Sequence, residues 1–251
     1  MDKRQNLELI ADISNANGAP GFEDDVVAQI RRHAEGLGEL REDSLRNFYI
    51  YRKENKGNRP VVQLDGHSDE VAFMVQAIRP DGNLRIIPLG GWVTSNVPAH
   101  KVWVRNALGE YIPGIVASKP PHYMTEAERK APLVFENITV DVGAVSKEEA
   151  ENEFHVRIGE PVVPDVTFTY DEKHDLMVGK SFDCRLGCAS IVSTLRELQG
   201  EELAVDVVGA CCSQEEVGTR GSQVTCRTVN PDIAIAVSYT HLRAHETSAH
   251  L

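Results

Sequence analysis

Residues 61–71 read Val61-Val62-Gln63-Leu64-Asp65-Gly66-His67-Ser68-Asp69-Glu70-Val71, and the chain changes character on either side of them. The apolar first half predicts a strand that ends where the polar residues begin. Helix-like segments precede it, whereas residues 72–164 indicate strands and turns with little helix. The alternation of helix and strand returns from Asp183 onward. We therefore expect an α/β domain, formed by residues 1–71 and 165–237, that carries residues 72–164 as an inserted β-domain.

Helices are predicted on both sides of the β-rich block. Apolar residues at helical spacing predict helices over 7–13 and 26–30. The acids 23–25 lie in the first turn of the second of these helices, where the helix dipole favours negative charge. Further predicted elements are short helices capped at Thr125 and Ser146, a helix over 191–198, and strands over 48–51, 203–209 and 233–237.

The composition excludes several classes of protein. The chain has 26 basic and 38 acidic residues, a formal net charge of −12, which disfavours nucleic acid and anionic membrane surfaces as partners. No run approaches the roughly 18–20 apolar residues of a membrane span, and the N-terminus lacks the apolar core of a secretory signal. Five cysteines are too few for a disulfide scaffold, so we expect packed, reduced thiols and a cytoplasmic location.

The first segment that can carry chemistry is the polar end of the strand quoted above. Residues two apart at a strand end point to the same side, so His67 and Asp69 can face one site. Neutral imidazole is the commonest metal-binding side chain, and a neighbouring carboxylate can fix its tautomer. The alternative is a polar strand end at which His67 only bonds its neighbour.

Two later segments supply acids. Asp183 lies where a turn gives way to a helix, a position at which a carboxylate either binds a ligand or caps the helix. Glu215 and Glu216 follow a buried strand and open a loop, so they form either part of a site or a solvated acidic loop. Neighbouring side chains diverge, which lets one carboxylate bind metal while the other moves protons. Together with His67, these acids indicate a metal site of hard ligands with its own general base.

Five ordered motifs extend this interpretation over most of the chain, from about Leu9 to Val237. They are Ala19-Pro20-Gly21, Gly66-His67-x-Asp69-Glu70-Val71, Ser118-Lys119-Pro120-Pro121-His122, Asp183-x-Arg185-x-Gly187-Cys188 and Gln214-Glu215-Glu216-Val217-Gly218-x-Arg220-Gly221. With these motifs the chain resembles the tetrahedral (glutamyl-type) aminopeptidases, cytosolic metallopeptidases with two cocatalytic metal ions. The resemblance implies a three-layer αβα metallopeptidase domain with an inserted β-barrel.

The resemblance also implies a role for each candidate residue. His67 ligates one ion, Asp183 bridges both, Glu216 ligates the second, and Asp69 orients His67. Two divalent ions, zinc, cobalt or manganese, lower the pKa of a shared water, and Glu215 acts as the general base in the hydrolysis of peptide substrates. Cleavage is limited to the N-terminal residue because the free α-amino group binds at the metals. The β-barrel serves homodimer formation and assembly into a dodecamer.

The resemblance ends after Val237. The family places an acidic metal ligand where this chain has Ser238, and residues 238–251 resemble a translated sequencing adaptor. His241 and His245 stand four residues apart, but Leu242 occupies the position of the glutamate in a zinc-binding helix motif. We therefore expect 238–251 to be a non-native tail, and the chain to be a truncated, poorly stable and inactive fragment of an active parent enzyme.

Two other functions stay open at this point. A non-catalytic assembly subunit would keep the β-insert and lack a working site. A glycoside hydrolase, following the endoglucanase label that some members of the family have attracted, needs two carboxylates that flank a sugar at ~5–9 Å, which adjacent Glu215 and Glu216 serve poorly. Neither the preferred N-terminal residue nor the choice among the three metals follows from the sequence.

Overall fold

The structure is a computed structural model of the 251-residue chain, in which residues 2–236 are described. The helices of this part are α1 (Lys3–Asn15), α2 (Asp24–Ala34), α3 (Glu126–Lys130), α4 (Lys147–Asn152), α5 (Phe182–Glu197) and α6 (Arg220–Val229). The strands are β1 (Gly38–Glu42), β2 (Phe48–Arg52), β3 (Val61–His67), β4 (Ala72–Ile78), β5 (Leu84–Leu89), β6 (Lys101–Arg105), β7 (Tyr111–Ser118), β8 (Ile138–Asp141), β9 (Pro161–Pro164), β10 (Thr169–Asp171), β11 (Leu176–Val178), β12 (Asp206–Cys212) and β13 (Ile233–Ala236). None of the helices in this part of the chain has the length and apolar character needed to cross a membrane.

The chain divides into two compact units. Within the described residues, one unit contains 2–69 and 168–236, and the other contains 70–167. The boundaries lie at 69/70 and 167/168, whereas the sequence places them at 71/72 and 164/165. Asp165 belongs to the second unit because its N–H donates to the carbonyl of Lys101 and its carboxylate accepts from the indole of Trp103.

The first unit is built on a five-stranded sheet in the order β1-β2-β12-β3-β13. Strand β3 pairs in parallel with β12 and β13, and β2 pairs antiparallel with β1 and β12. Helix α5 packs with α1 and α2 in one apolar core on one face of the sheet. On the other face, Asp65 of β3 accepts a hydrogen bond from Thr225 of α6 at 3.1 Å. Helices on both faces give the three-layer αβα arrangement that the sequence predicts.

Gly66 lets the start of α5 approach the end of β3. A Cβ at this position would lie 3.3 Å from the backbone of Gly187 and 3.4 Å from that of Cys188, so only glycine fits without displacing the helix. The close approach brings the first turn of α5, which carries Asp183, to His67 at the last position of β3.

The second unit is a closed β-barrel with the strand order β4-β5-β8-β7-β6-β9. Its buried interior includes Phe73, Leu84, Val104, Ile138 and Val140. The two short helices of this unit begin as predicted, because the hydroxyls of Thr125 and Ser146 accept the N–H groups of Glu128 and Glu149. The structure therefore confirms the predicted fold class, an α/β domain with an inserted β-barrel.

None of the five cysteines forms a disulfide. Four of them are buried, as predicted, but Cys226 is exposed, and the prediction of five packed thiols is wrong at this position. Cys226 follows Thr225, which faces the sheet from α6. One step along a helix turns the side chain by about 100°, away from the covered face and into solvent.

Candidate metal centre

The parallel pairing of β3 with β12 brings two polar segments to the same edge of the sheet. Cys212, the last residue of β12, is in register with His67, the last residue of β3. Residues 67–69 and 213–216 therefore leave the sheet side by side. This is the carboxyl end of parallel strands, where open α/β sheets bind ligands.

His67 lies at the centre of the cluster. Its Nε2 atom is 3.2 Å from Oδ1 of Asp183 and 3.8 Å from Oε2 of Glu215. Ligand atoms of His67, Glu215 and Glu216 all lie within 4.8 Å of one another, and so do those of His67, Asp183 and Cys184. Imidazole nitrogen and carboxylate oxygen are donor types found in sites for zinc and similar divalent ions, so the donor set fits such a metal.

Asp69 lies on the other side of the imidazole ring. Its carbonyl oxygen is 3.2 Å and its Oδ1 atom 3.5 Å from Nδ1 of His67. With acceptors on this side, Nδ1 donates a hydrogen bond, and Nε2 is directed at the carboxylates opposite. Asp69 is fully buried, and its Oδ1 and Oδ2 atoms accept the backbone N–H groups of Glu215 at 3.0 Å and Glu216 at 3.1 Å. One buried carboxylate thus connects the histidine to the loop that carries both glutamates.

Side-chain oxygens receive four consecutive N–H groups of the loop after β12. The N–H of Ser213 donates to Oδ1 of Asn47 at 3.0 Å, and that of Gln214 donates to Oε1 of Glu23 at 3.0 Å. The next two N–H groups are those that Asp69 accepts. Three segments that are distant in the sequence therefore fix the backbone of residues 213–216.

The cluster carries more negative charge than nearby protein cations offset. Within residues 2–236, no lysine or arginine forms an ion pair with Asp183, Glu215 or Glu216. Burial raises the pKa of Glu216 to about 7, against the charge of His67 and together with the charges of Asp69, Glu215 and Asp183. Burial lowers the pKa of His67, but the hydrogen bond and charge of Asp69, with the charges of Glu215 and Asp183, raise it to about 9. A divalent cation would supply the missing positive charge.

The structure brings together every candidate residue that the sequence singles out, namely His67, Asp69, Asp183, Glu215 and Glu216. The Asp183 carboxylate meets the imidazole of His67, which favours the ligand interpretation over capping. Residues Ser238, His241 and His245 lie outside the described residues.

Three residues of the cluster and its support are absent from the sequence-based prediction. Glu23 is not in the first turn of a helix but one position before α2, fully buried and bonded to Gly21 and Gln214. Asn47 follows no local pattern that points to a site. Cys184 directly follows Asp183 in the sequence, and this adjacency could have pointed to it as a candidate ligand. Its burial is equally expected of a packed thiol without a role in the site.

Comparison with known proteins identifies the family. A family model for the M42 glutamyl aminopeptidase matches residues 47–250. FrvX of Escherichia coli strain K12 is 36% identical over 233 residues, which are 92% of this chain and 64% of FrvX. The glutamyl aminopeptidase of Lactococcus lactis is 30% identical over 234 residues, which are 92% of this chain and 65% of the relative.

A solved structure is also similar. The crystal structure of a TET aminopeptidase from a marine sediment Thaumarchaeota archaeon superposes with a TM-score of 0.88 at 36% identity, over 93% of this chain and 66% of that protein. The chain spans just under two thirds of the length of the curated relatives above, at 64% and 65%. Because the family model covers most of its residues, the chain belongs to the M42 glutamyl aminopeptidase family.

Proposed function

We propose that the protein is a metal-dependent aminopeptidase that hydrolyses the bond after the N-terminal residue of peptides. The observation that carries the proposal is the convergence of His67, Asp183, Glu215 and Glu216 at the carboxyl edge of the sheet. Membership of the M42 glutamyl aminopeptidase family supports the same activity. The activity is proposed for the whole protein, since the chain spans just under two thirds of its relatives' length.

Two divalent ions per subunit are part of the proposal. His67 would hold one ion, Glu216 the other, and Asp183 both, because Asp183 offers two carboxylate oxygens on a side chain that is 60% exposed. When bound, the ions supply Lewis-acid chemistry that lowers the pKa of a water molecule and polarises the peptide carbonyl. Zinc, cobalt and manganese all accept imidazole and carboxylate ligands, and the donor set does not choose among them.

Glu215 is the residue we assign as general base. Its Oε2 atom lies 3.8 Å from Nε2 of His67, and its side chain is 37% exposed, so the carboxylate reaches both the cluster and solvent. The backbone of Glu215 is held by Asp69, which fixes the loop without occupying the Glu215 carboxylate. Glu215 would take a proton from the attacking water on Oε2 and deliver it to the nitrogen of the leaving amine.

Asp69 acts in this proposal through its neighbours. Its carbonyl oxygen accepts a hydrogen bond from Nδ1 of His67, which would keep Nε2 directed at a bound metal. Its carboxylate accepts the N–H groups of Glu215 and Glu216 and so holds their loop. Asp69 is therefore a positioning residue rather than a group that touches the substrate.

Hydrolysis of aminoacyl-p-nitroanilides and short peptides by the product of the complete gene tests the proposal. A chelator is expected to abolish hydrolysis, and zinc or cobalt to restore it. Peptides with an acetylated N-terminus are expected to remain intact. Full activity in the presence of chelator would exclude metal dependence, and equal cleavage of acetylated peptides would exclude an aminopeptidase.

A β-glucan assayed beside the peptides tests the glycoside hydrolase alternative. Glu215 and Glu216 share one loop anchored on Asp69, so they do not flank a sugar from two sides. We expect no release of reducing sugar, with or without added metal.

Self-association and a cytoplasmic location complete the proposal. Homodimers that assemble into a dodecamer are what the resemblance to the tetrahedral aminopeptidases implies, and they are part of the proposal. Large apolar side chains are exposed on the barrel unit, including Leu108, Tyr123 and Val145, which suits contacts between protein copies. Sedimentation analysis is expected to show species larger than a monomer. Assembly of a protein that binds no metal would favour a non-catalytic subunit instead.

A further inference from the structure

Glu23 is a buried acid that the proposed chemistry does not use. Its Oε1 atom accepts the N–H of Gly21 at 2.8 Å and the N–H of Gln214 at 3.0 Å. Its Oε2 atom is buried and has no hydrogen-bond partner among residues 2–236. The contact with Gln214 joins positions 191 residues apart, so Glu23 ties the segment before α2 to the loop after β12.

Gln214 has a conformation that requires support. Its φ angle is +51°, in the left-handed region that residues other than glycine rarely adopt. Without the Glu23 carboxylate, the N–H of Gln214 would have lost its acceptor, and this loss would destabilise the folded loop. The hydrogen bond from Gln214 to Glu23 therefore stabilises the left-handed conformation against the extended and right-handed alternatives.

The conformation of Gln214 sets the direction of the two residues that follow. A change of φ at 214 would rotate the next peptide groups and break the hydrogen bonds that Glu215 and Glu216 donate to Asp69. Both carboxylates would then move relative to His67.

We infer that Glu23 is a positioning residue, which holds Gln214 left-handed and thereby keeps Glu215 and Glu216 within reach of His67. The importance of this position rests on the proposed function, because that function makes the loop the carrier of a metal ligand and a base. The hydrogen bond from Gln214 to Glu23 involves no metal, so its effect on the loop can be measured in the metal-free chain.

Three variants separate this role from general stabilisation. Glu23→Ala removes the acceptor, whereas Glu23→Gln keeps an oxygen at the Oε1 position on a side chain of equal length. Asp206→Ala is the matched control. Asp206 is also a buried acid that accepts two N–H groups, from Lys56 at 2.7 Å and Gly57 at 2.6 Å, but at the opposite end of β12.

Hydrogen exchange of the metal-free chain is the first measurement. We expect amides 214–216 to exchange at least about 10-fold faster in Glu23→Ala and at nearly the original rate in Glu23→Gln. Asp206→Ala is expected to accelerate exchange at Lys56 and Gly57 instead. Unchanged exchange at 214–216 in folded Glu23→Ala would overturn the inference, and so would equal acceleration in Glu23→Gln. If Glu23→Ala does not fold, Glu23→Asp, which keeps the carboxyl group but shortens the side chain, is expected to accelerate exchange of the same amides.

Cobalt titration, followed by absorption, is the second measurement. We expect about 10–100-fold weaker binding in Glu23→Ala, as for other residues that support metal ligands, and nearly unchanged binding in Glu23→Gln and Asp206→Ala. Equal affinity in Glu23→Ala and the unchanged chain would contradict the positioning role. Absence of cobalt binding in the chain without substitutions would contradict the proposed function. The exchange rates would still show whether Glu23 stabilises the conformation of Gln214.

Discussion

The Nε2 atom of His67 lies 3.2 Å from Oδ1 of Asp183, although 116 residues separate them along the chain. The contact exists because β3 ends at His67 and α5 begins beside it, where Gly66 allows the helix to approach closely. An imidazole and a carboxylate that two separate elements bring together form a preorganised pair of metal ligands.

Asp69→Asn should weaken metal binding about 10–100-fold. The carboxylate of Asp69 accepts the N–H groups of Glu215 and Glu216, and an amide keeps only one of the two acceptor oxygens. Cobalt titration of the metal-free Asp69→Asn chain measures the change. Asp206→Asn alters another buried acid, at the opposite end of β12 from the cluster, and is expected to bind cobalt as the unchanged chain does. Equal affinities in both variants would remove Asp69 from the metal site.

The two adjacent glutamates should separate in their effects. In the product of the complete gene, Glu215→Gln is expected to keep metal affinity and lower kcat for peptide hydrolysis about 10²–10⁴-fold, because an amide cannot accept the proton. Glu216→Gln is expected to weaken metal binding itself, since it removes an anionic ligand. Each variant serves as the control for the other, in calorimetric titration and in aminoacyl-p-nitroanilide hydrolysis. Loss of metal binding in Glu215→Gln would show that the two roles are exchanged.

Glu23 should make the free energy of unfolding depend on pH. Burial raises the pKa of Glu23 to about 7, against the N–H groups of Gly21 and Gln214, from an ordinary value of 4.5. The folded state then holds a proton that the unfolded chain has already released, so stability falls as pH rises from 4.5 toward 7. In this window Glu23→Gln, which cannot ionise, should gain about 1.4 kcal/mol per pH unit relative to the unchanged chain. Urea unfolding at several pH values measures this, and parallel pH curves for the two chains would contradict it.

The buried guanidinium of Arg185 should contribute strongly to stability. It donates from Nε to the carbonyl of Ser68 at 2.9 Å and from Nη1 to that of Ala16 at 2.6 Å. Arg185→Met removes this donor from the buried carbonyl of Ser68 and the partly buried carbonyl of Ala16. We expect the free energy of unfolding, measured in urea, to fall by about 3 kcal/mol or more. Arg185→Lys should lower the free energy of unfolding by less than Arg185→Met does, but still measurably, because an ammonium cannot reproduce the planar set of donors of a guanidinium.

An exposed arginine gives the control for this measurement. Arg129 also donates to a backbone carbonyl, that of Pro121 at 3.0 Å, but on the surface. Arg129→Met is expected to change the free energy of unfolding by no more than about 0.5 kcal/mol. Similar losses for Arg129→Met and Arg185→Met would show that burial of Arg185 is not the cause.

Local sequence patterns predict a strand accurately where its apolar residues are also the ones that pair with the neighbouring strands, and less accurately where they are not. The strand predicted over 203–209 lies at 206–212. Leu203 and Val205 are apolar and pack against the core from the preceding loop. Strand pairing begins where the N–H of Asp206 donates to the carbonyl of Pro60. This contact joins distant segments, so a local sequence pattern does not reveal it.

The candidate site shows the same division. His67, Asp183 and the glutamates can be found from side-chain chemistry at predicted strand and helix ends, since these positions converge in an α/β fold. Glu23 and Asn47 cannot be found this way. Their partners are backbone N–H groups 191 and 166 residues away, and such contacts leave no mark on the local sequence.

Calorimetric titration of the metal-free chain with zinc tests most directly whether these side chains form one metal centre. We expect saturable binding that weakens at least about 100-fold in both His67→Ala and Asp183→Ala. His174→Ala is the matched control, because His174 also pairs with a carboxylate, Asp171 at 2.6 Å, on an exposed turn. It should bind zinc as the unchanged chain does. Zinc affinity that survives intact in His67→Ala and Asp183→Ala would contradict a shared metal centre.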